Sequence, residues 1–326
     1  MKILVTGGSG FLGSHVARSL LARGDQVSLL GRNFDAVQDL VAVGATPVRA
    51  DLRDKQAVVA ACAGMDAVVH AGALSSPWGH PTDFRDVNAG GTLSVVEGCQ
   101  QHHVGRLVHI SSPAVVFDGR DHENLTEAAP YPINYSSEYA ATKKTAEDMV
   151  NVAAKQGLPT VILRPKAIFG PGDRALLPRL IAAAHQGKLR QFGDGKNLVD
   201  LTYVDNVVQA IVLALSAPAA VGRTYFITNG EHVPLWLTIR RTLEALAIPA
   251  DLRPLALPWA MLAARFLEAR ASMSGAEPLL TRYTVSILAR TQTYDISAAR
   301  RDLGYEPQVS FNEGMARTLQ SMTHDV

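Results

Sequence analysis

Hydrophobic residues fall in short, nearly unbroken runs separated by stretches in which they recur at helical spacing. Lys2–Thr6, Gln26–Leu30, Thr46–Ala50, Ala67–His70, Arg106–Ile110 and Thr160–Leu163 are such runs, mostly Val, Ile and Leu, with Gly, Asp or Pro at their borders. Runs without polar alternation predict strands covered on both faces, as in a parallel sheet. Phe11–Arg23, Lys55–Cys62, Asp83–His102 and Ser137–Gln156 carry the helical pattern between them. The alternation predicts right-handed crossovers and an α/β fold built on a doubly wound parallel sheet.

Beyond Leu163 the texture changes. Proline and glycine cluster in Arg164–Asp173, followed by helical patterns at Leu176–Gln186 and Asp205–Ser216 and a further strand pattern at Thr224–Thr228. From Pro249 onward the chain is apolar and mostly helical, with expected breaks at Pro254, Pro258 and Pro278. This divides the chain into a nucleotide-binding domain, 1–164 plus roughly 201–228, and a smaller, mostly helical C-terminal substrate lobe, 165–200 plus 229–326. Such a lobe would lie over the carboxyl edge of the sheet, where ligands bind in open α/β folds.

No apolar run reaches the roughly 20 residues of a membrane helix, so no integral membrane segment is expected. The nearest, Leu255–Leu267, contains Arg265 and leaves an interfacial helix open. Met1–Thr6 is too short for a signal core and runs straight into Gly7–Gly13, so it reads as a buried first strand. Charge is balanced, 31 Lys+Arg against 30 Asp+Glu, without a like-charged block. That gives no reason to expect a nucleic-acid partner. Cys62 and Cys99 match no metal or redox spacing and read as buried thiols of a cytoplasmic protein without a metal site.

Chemistry first appears at Gly7-Gly8-Ser9-Gly10-Phe11-Leu12-Gly13, between the first strand and the first helix. It reads as Gly8-x-Gly10-x-x-Gly13 or as Gly7-x-x-Gly10-x-x-Gly13. Either way, glycines permit a tight turn and close approach to a pyrophosphate, which the helix N-terminus attracts. This is the Rossmann context. An acidic residue that would hold the ribose hydroxyls of NAD belongs at the end of the second strand. Gly31 stands there, followed by Arg32, with Asp35 placed in the next turn. Arg32 suits a 2′-phosphate, so NADP(H) is favoured and NAD(H) remains the alternative. Asp51-Leu52, ending the third strand, face either the adenine or, for Asp51, the start of the helix near Asp54.

Tyr139 and Lys143 are four residues apart at the start of a long helix pattern, hence on one face. A free phenol has a pKa near 10 and is a weak base at neutral pH. A neighbouring ammonium would lower it, making Tyr139 a proton donor and acceptor for a carbonyl or alcohol oxygen. Ser111-Ser112 end the strand Leu107–Ile110, where a hydroxyl could polarise the same oxygen or simply cap a turn.

Thr6–Gly13, His70-Ala71-Gly72-Ala73, Asn88-Ala89-Gly90-Gly91-Thr92, Ser111-Ser112, Tyr139…Lys143 and Arg164-Pro165…Phe169-Gly170-Pro171-Gly172 follow one another in order. Together they resemble the extended short-chain dehydrogenase/reductase superfamily, with its NAD-dependent epimerases and dehydratases. Gly193-Asp194-Gly195-Lys196-Asn197, Tyr203-Val204-Asp205-Asn206 and Tyr225-Phe226-Ile227-Thr228-Asn229-Gly230 resemble its 3β-hydroxysteroid dehydrogenase-like branch, which includes bacterial reductases of 2-alkyl-3-oxoalkanoic acids.

The resemblance implies Ser112, Tyr139 and Lys143 as the catalytic set. Ser112 is preferred to Ser111 because it stands two positions before Ala114. It implies cofactor contacts from Gly7, Gly10, Phe11, Leu12, Gly13, Asp51, Leu52, Ala71, Gly72, Ala73 and Pro165, with Tyr139 and Lys143 beside the nicotinamide. It also implies a homodimer through the helices at Asp83–His102 and Ser137–Gln156. Two departures matter. Gly31 replaces the acidic residue of NAD-using members, and Val115-Val116-Phe117 replaces the Val-Tyr-Gly common in sugar-nucleotide members.

The expected activity is therefore hydride transfer on a hydrophobic β-oxo acid or steroid-like ketone. A sugar-nucleotide epimerase or dehydratase is the second reading. A non-catalytic dinucleotide-binding regulator is the third, opposed by the retention of both Tyr139 and Lys143. Leu255, Leu257, Trp259, Met261, Leu262, Phe266, Leu267, Leu279, Leu280, Tyr283, Val285, Ile287 and Leu288 either line an acyl pocket or pack the lobe's own core. Arg179, Lys166 and Arg282 are the basic residues that could meet a carboxylate.

Overall fold

The computed structural model describes residues 1–249 and 251–324. Its main sheet has seven parallel strands: β1 (Lys2–Thr6), β2 (Gln26–Gly31), β3 (Thr46–Arg49), β4 (Ala67–His70), β5 (Arg106–Ile110), β6 (Thr160–Pro165) and β7 (Arg223–Ile227). Their spatial order is β7-β6-β5-β4-β1-β2-β3. The order reverses between β1 and β4, which opens a crevice at their carboxyl ends.

Alternating residues of β1 serve opposite layers. Ile3 and Val5 pack with Val16, Ala17 and Leu20 of helix α1 (Phe11–Ala22) and with Val207 and Ile211 of the helix Val204–Ser216. Leu4 faces the other way, toward Val95 and Cys99 of α2 (Gly91–Gln101) and Val150 of α3 (Glu138–Lys155). All three strand residues are fully buried, which explains the unbroken apolar run. Cys62 and Cys99 are free and buried, as the sequence suggests.

Three features differ from the sequence expectation. The region predicted as one helix from Asp83 is Pro81–Phe84, a π-helical turn Arg85–Gly90, and α2. Pro258 does not break a helix. It lies in the first turn of α4 (Leu257–Ser274), where its missing N–H has no helical partner to lose. The C-terminal region, expected to be mostly helical, also supports a four-stranded sheet of Leu198–Asp200, His232–Pro234, Gln292–Tyr294 and His122–Leu125. Each strand is only three or four residues long and pairs with distant segments, so no local period announces it.

Among the described residues no helix is long and apolar enough to cross a membrane. The apolar residues beyond Pro249 divide in two. Leu255, Leu257, Met261, Leu280, Val285 and Leu288 belong to a second core with Phe169, Phe192 and Trp236. Trp259, Leu262, Phe266 and Leu279 are 56–69% exposed.

Candidate active site

The turn from β1 into α1 is built around absent side chains. Gly7 has φ +66°, and a Cβ there would lie 2.7 Å from Gly72 Cα. A Cβ on Gly13 would lie 2.1 Å from Gly7 O. The turn closes by a Gly10 N–H bond to Gly7 O, 2.9 Å. Gly10 caps α1 without a side chain, so the helix presents its first N–H groups to the crevice. That cradle fits the pyrophosphate of a dinucleotide. Phe11 and Leu12 are partly buried behind it, and Ala71, Gly72 and Ala73 continue from β4 on its other side.

A directed hydrogen-bond chain locks the two sides together. Gly72 N–H donates to Thr6 Oγ1 (3.1 Å), Thr6 pairs with His70 Nδ1 (2.7 Å), and His70 Nε2 pairs with Thr92 Oγ1 (2.9 Å). The Thr92 hydroxyl then donates to Asn88 O, 2.6 Å. All links are satisfied when His70 carries its proton on Nε2. Burial, then the Lys143 charge, pushes its pKa down to about 3, so it is neutral. Asn88 clamps the loop beyond β4, accepting from Leu74 N and donating to Leu74 O and to Thr142 of α3. The sequence marks His70 and Asn88 only as members of motifs; their buried positions supply the reason.

At the end of β2, Gly31 pairs in register with Arg49 of β3. Arg32 is exposed and forms no ion pair among the described residues. Asp51 does not cap the next helix; Asp54 does, accepting from Ala57 N at 3.1 Å. The Arg53 guanidinium grips Asp51 at 2.8–2.9 Å and, helped by the charge of Arg32, holds its carboxyl down to about 2. Leu52 touches the cradle: its Cδ1 is 2.9 Å from where a Gly72 Cβ would be. The corner is therefore rich in guanidinium groups, including Arg49, which the sequence did not single out.

Ser137 caps α3, accepting from Ala140 N at 3.2 Å, and this puts Tyr139 in the first helical turn. Ser112 caps the short turn Pro113–Val116 and also acts on the Tyr139 phenol as a hydrogen-bonding neighbour. The capping reading of that serine is therefore met, and its hydroxyl also lies beside the phenol. Pro165 ends β6 next to this point. The structure brings Ser112, Tyr139 and Lys143 to one corner of the sheet edge, but the expected effect of the ammonium on the phenol is not met. Burial raises the Tyr139 pKa, and Ser112 only partly opposes it. Lys143 turns inward, donating to Ile110 O (2.7 Å) beside His109 Nε2 (3.3 Å). Burial lowers its pKa to about 8, against the pull of Glu147.

Beneath Lys143 lies a buried ionic cluster. Arg164 Nε and Nη2 bind Glu147 at 2.8 and 2.6 Å, and the Tyr131 hydroxyl joins both at 2.8 Å. Glu147 is one helical turn beyond Lys143, so this pair pins the active face of α3 against β6. Burial opposes the Glu147 charge, yet Arg164 outweighs it and holds the carboxyl below its usual range.

The phenol of Tyr283 stands near enough to Tyr139 to raise its own pKa further, after burial has done most of it. Tyr283 in turn acts on Tyr294. Arg179 and Arg282 are exposed and paired with Glu277 and Glu268, whereas Lys166, the residue after Pro165, points inward over the Tyr294 ring.

This fold and relationship define an NAD(P)-dependent oxidoreductase of the extended short-chain dehydrogenase/reductase type. The model of the 3-beta hydroxysteroid dehydrogenase/isomerase family matches residues 4–251, and the chain belongs to that family. It is 41% identical over 329 residues to a 2-alkyl-3-oxoalkanoate reductase of Stenotrophomonas maltophilia, covering 98% of this chain and 99% of that one. It is 35% identical to the decarboxylating sterol-4-alpha-carboxylate 3-dehydrogenase of Mus musculus, covering 99% and 91%. Among solved structures, the dTDP-glucose 4,6-dehydratase of Streptomyces venezuelae with NAD bound superimposes with a TM-score of 0.79, at 27% identity, over 100% of this chain and 98% of that one.

Proposed function

We propose that the protein reduces the ketone of a hydrophobic 3-oxo acid of the 2-alkyl-3-oxoalkanoate class to the alcohol, with NADPH as the preferred reductant. The observation that carries this reading is the meeting of Ser112 and Tyr139 above buried Lys143 at the carboxyl edge of β5, beside the glycine cradle. The relatives named above supply the substrate class.

Gly7, Gly10 and Gly13 with the start of α1 hold the pyrophosphate, with Phe11 and Leu12 behind it. Asp51, Leu52, Ala71, Gly72 and Ala73 flank the adenosine half, and Pro165 lies at the nicotinamide end. Arg32 recognises the 2′-phosphate, in a corner where Arg49 and Arg53 add positive charge. When bound, the nicotinamide would supply the hydride that reduces the carbonyl carbon. Ser112 donates a hydrogen bond to the carbonyl oxygen and shares its growing negative charge. Tyr139, kept protonated by burial, gives its proton to that oxygen. Lys143 would steady the ribose hydroxyls of the bound cofactor.

Trp259, Leu262 and Phe266 offer apolar surface on α4, next in the chain to the helix α5 (Arg282–Ala289) that carries Tyr283; this supports alkyl-chain substrates. A homodimer through α2 and α3 is supported by Leu93 and Val152, which are 40% and 53% exposed on those helices. Free buried thiols support a cytoplasmic setting.

The test is turnover by purified protein. NADPH consumption with 2-alkyl-3-oxo acids, faster than with NADH, is expected. Turnover of a UDP-sugar with retained, unconsumed NAD, and none of a 3-oxo acid, would replace this reading with the sugar-nucleotide one.

A further inference from the structure

Lys166 follows β6 directly and lies where the small C-terminal sheet meets the large one. Its Nζ donates to Gln292 Oε1 at 2.7 Å and sits 5.8 Å from the centre of the Tyr294 ring. Gln292 and Tyr294 are themselves buried, 3% and 4% exposed, and come from a strand more than a hundred residues away in sequence. Gln292 is held in turn by a bond from its Nε2 to Ile287 O, 3.2 Å.

A desolvated ammonium normally has a carboxylate partner. Among the described residues Lys166 forms no ion pair. Asp200, the nearest acid acting on it, is already taken by His232 Nδ1 (2.6 Å) and Tyr294 N (2.8 Å). Only one N–H of the ammonium is engaged by the side chain of a neighbour, and that neighbour is a neutral amide.

The position is what gives this cation meaning. β5 and β6 lie side by side, with Ile110 paired to Leu163 and the Ser111 N–H bonded to Leu163 O, so Ser112 and Lys166 leave neighbouring strands at the same carboxyl edge. Ser112, Tyr139, Tyr283 and Lys166 are each partly exposed. In a 3-oxo acid the carboxylate is one carbon removed from the ketone. With the ketone oxygen at Ser112 and Tyr139, a carboxylate one carbon away comes toward the adjacent strand end, where Lys166 stands.

We infer that Lys166, held by Gln292, binds the substrate carboxylate and determines that this site selects acids over neutral ketones. The inference rests on the reductase reading proposed above. It makes Lys166 a specificity residue rather than a proton carrier.

The experiment compares a 2-alkyl-3-oxo acid with its methyl ester in the wild type, Lys166→Met, Lys166→Gln and Lys166→Arg enzymes, each checked for folding by circular dichroism. A charged hydrogen bond of this kind is worth about a 10- to 100-fold change in KM. The Met and Gln variants should raise KM for the acid by that factor and leave kcat/KM for the ester within about twofold. The Arg variant should recover most of the preference for the acid. A wild type that uses acid and ester equally well, or folded Met and Gln variants that keep the wild-type acid-to-ester ratio, overturns the carboxylate site and leaves the reductase reading standing. A wild type that reduces neither overturns both.

Discussion

Replacing Arg164 by methionine isolates what holds the active face of α3. In the wild type both partners are buried, with side chains 3% and 0% exposed, and the guanidinium grips Glu147 through two contacts. Methionine fills similar volume but leaves a carboxylate without its cation. Breaking a buried pair this way costs roughly 3–5 kcal/mol. Glu147 can escape by taking up a proton. At pH 7 that costs about 1.4 kcal/mol for each of the roughly 2.7 pH units separating it from an ordinary glutamate, or about 3.7 kcal/mol. At pH 5 the same proton costs only about 1 kcal/mol.

The sign of the pH dependence therefore reverses in the variant. In the wild type Glu147 has a lowered folded pKa, so its contribution is present above the unfolded value and lost as pH falls through the folded one. In Arg164→Met the Tyr131 and Ser111 hydrogen bonds remain, but burial outweighs them and raises the folded pKa. The Glu147 contribution is then most favourable below the unfolded value and is lost as pH rises toward the folded one. Urea denaturation of both proteins across pH 5 to 7 measures this. The destabilisation should be about 4 kcal/mol at pH 7 and shrink by more than half at pH 5. Adding Glu147→Met should restore most of the loss, because an apolar pair of similar volume is often neutral. A destabilisation below about 1 kcal/mol, or one that does not change with pH, would refute the claim that this pair anchors the helix.

Tyr139→Phe should lower turnover at least about 100-fold while dinucleotide affinity, read by fluorescence quenching, stays near wild type; unchanged turnover would remove Tyr139 from proton transfer. Arg32→Asp should cut the preference for NADPH over NADH by roughly 10- to 100-fold in kcat/KM, and an unaltered preference would assign the 2′-phosphate to other groups. Gly13→Ala puts a methyl 2.1 Å from the backbone oxygen of Gly7. It should abolish measurable dinucleotide binding by calorimetry, and wild-type affinity would show that the turn is not the cradle.

The parts of the site legible in the sequence are those whose geometry is local. A glycine turn between a strand and a helix, and a tyrosine and lysine one helical turn apart, are fixed by short-range periodicity. The strands of the main sheet were equally legible, because burial on both faces leaves unbroken apolar runs at β1, β4 and β5. What lay hidden is set by contacts between distant segments. Glu147 and Arg164 look like surface charges until α3 lies on β6. His70 is held neutral by burial and then by the Lys143 charge, a setting the sequence does not show. The strand Gln292–Tyr294 is too short to carry a period, yet it brings Gln292 and Tyr294 to Lys166.

The failed expectation about Tyr139 has the same origin. Spacing places an ammonium on the same helix face as the phenol, but burial decides where the ammonium goes. Deprived of water, Lys143 takes the Ile110 carbonyl and lies beside neutral His109, whose pKa burial and then the Lys143 charge itself push well below the ordinary value. Its charge is thus kept by backbone oxygen and by Glu147 one turn away, and Glu147 keeps its own through Arg164. Lys143 consequently rests on a chain of buried partners, Glu147 and then Arg164. The arrangement of buried charges, rather than the Tyr139–Lys143 spacing alone, thus decides where the ammonium lies at this edge of the sheet.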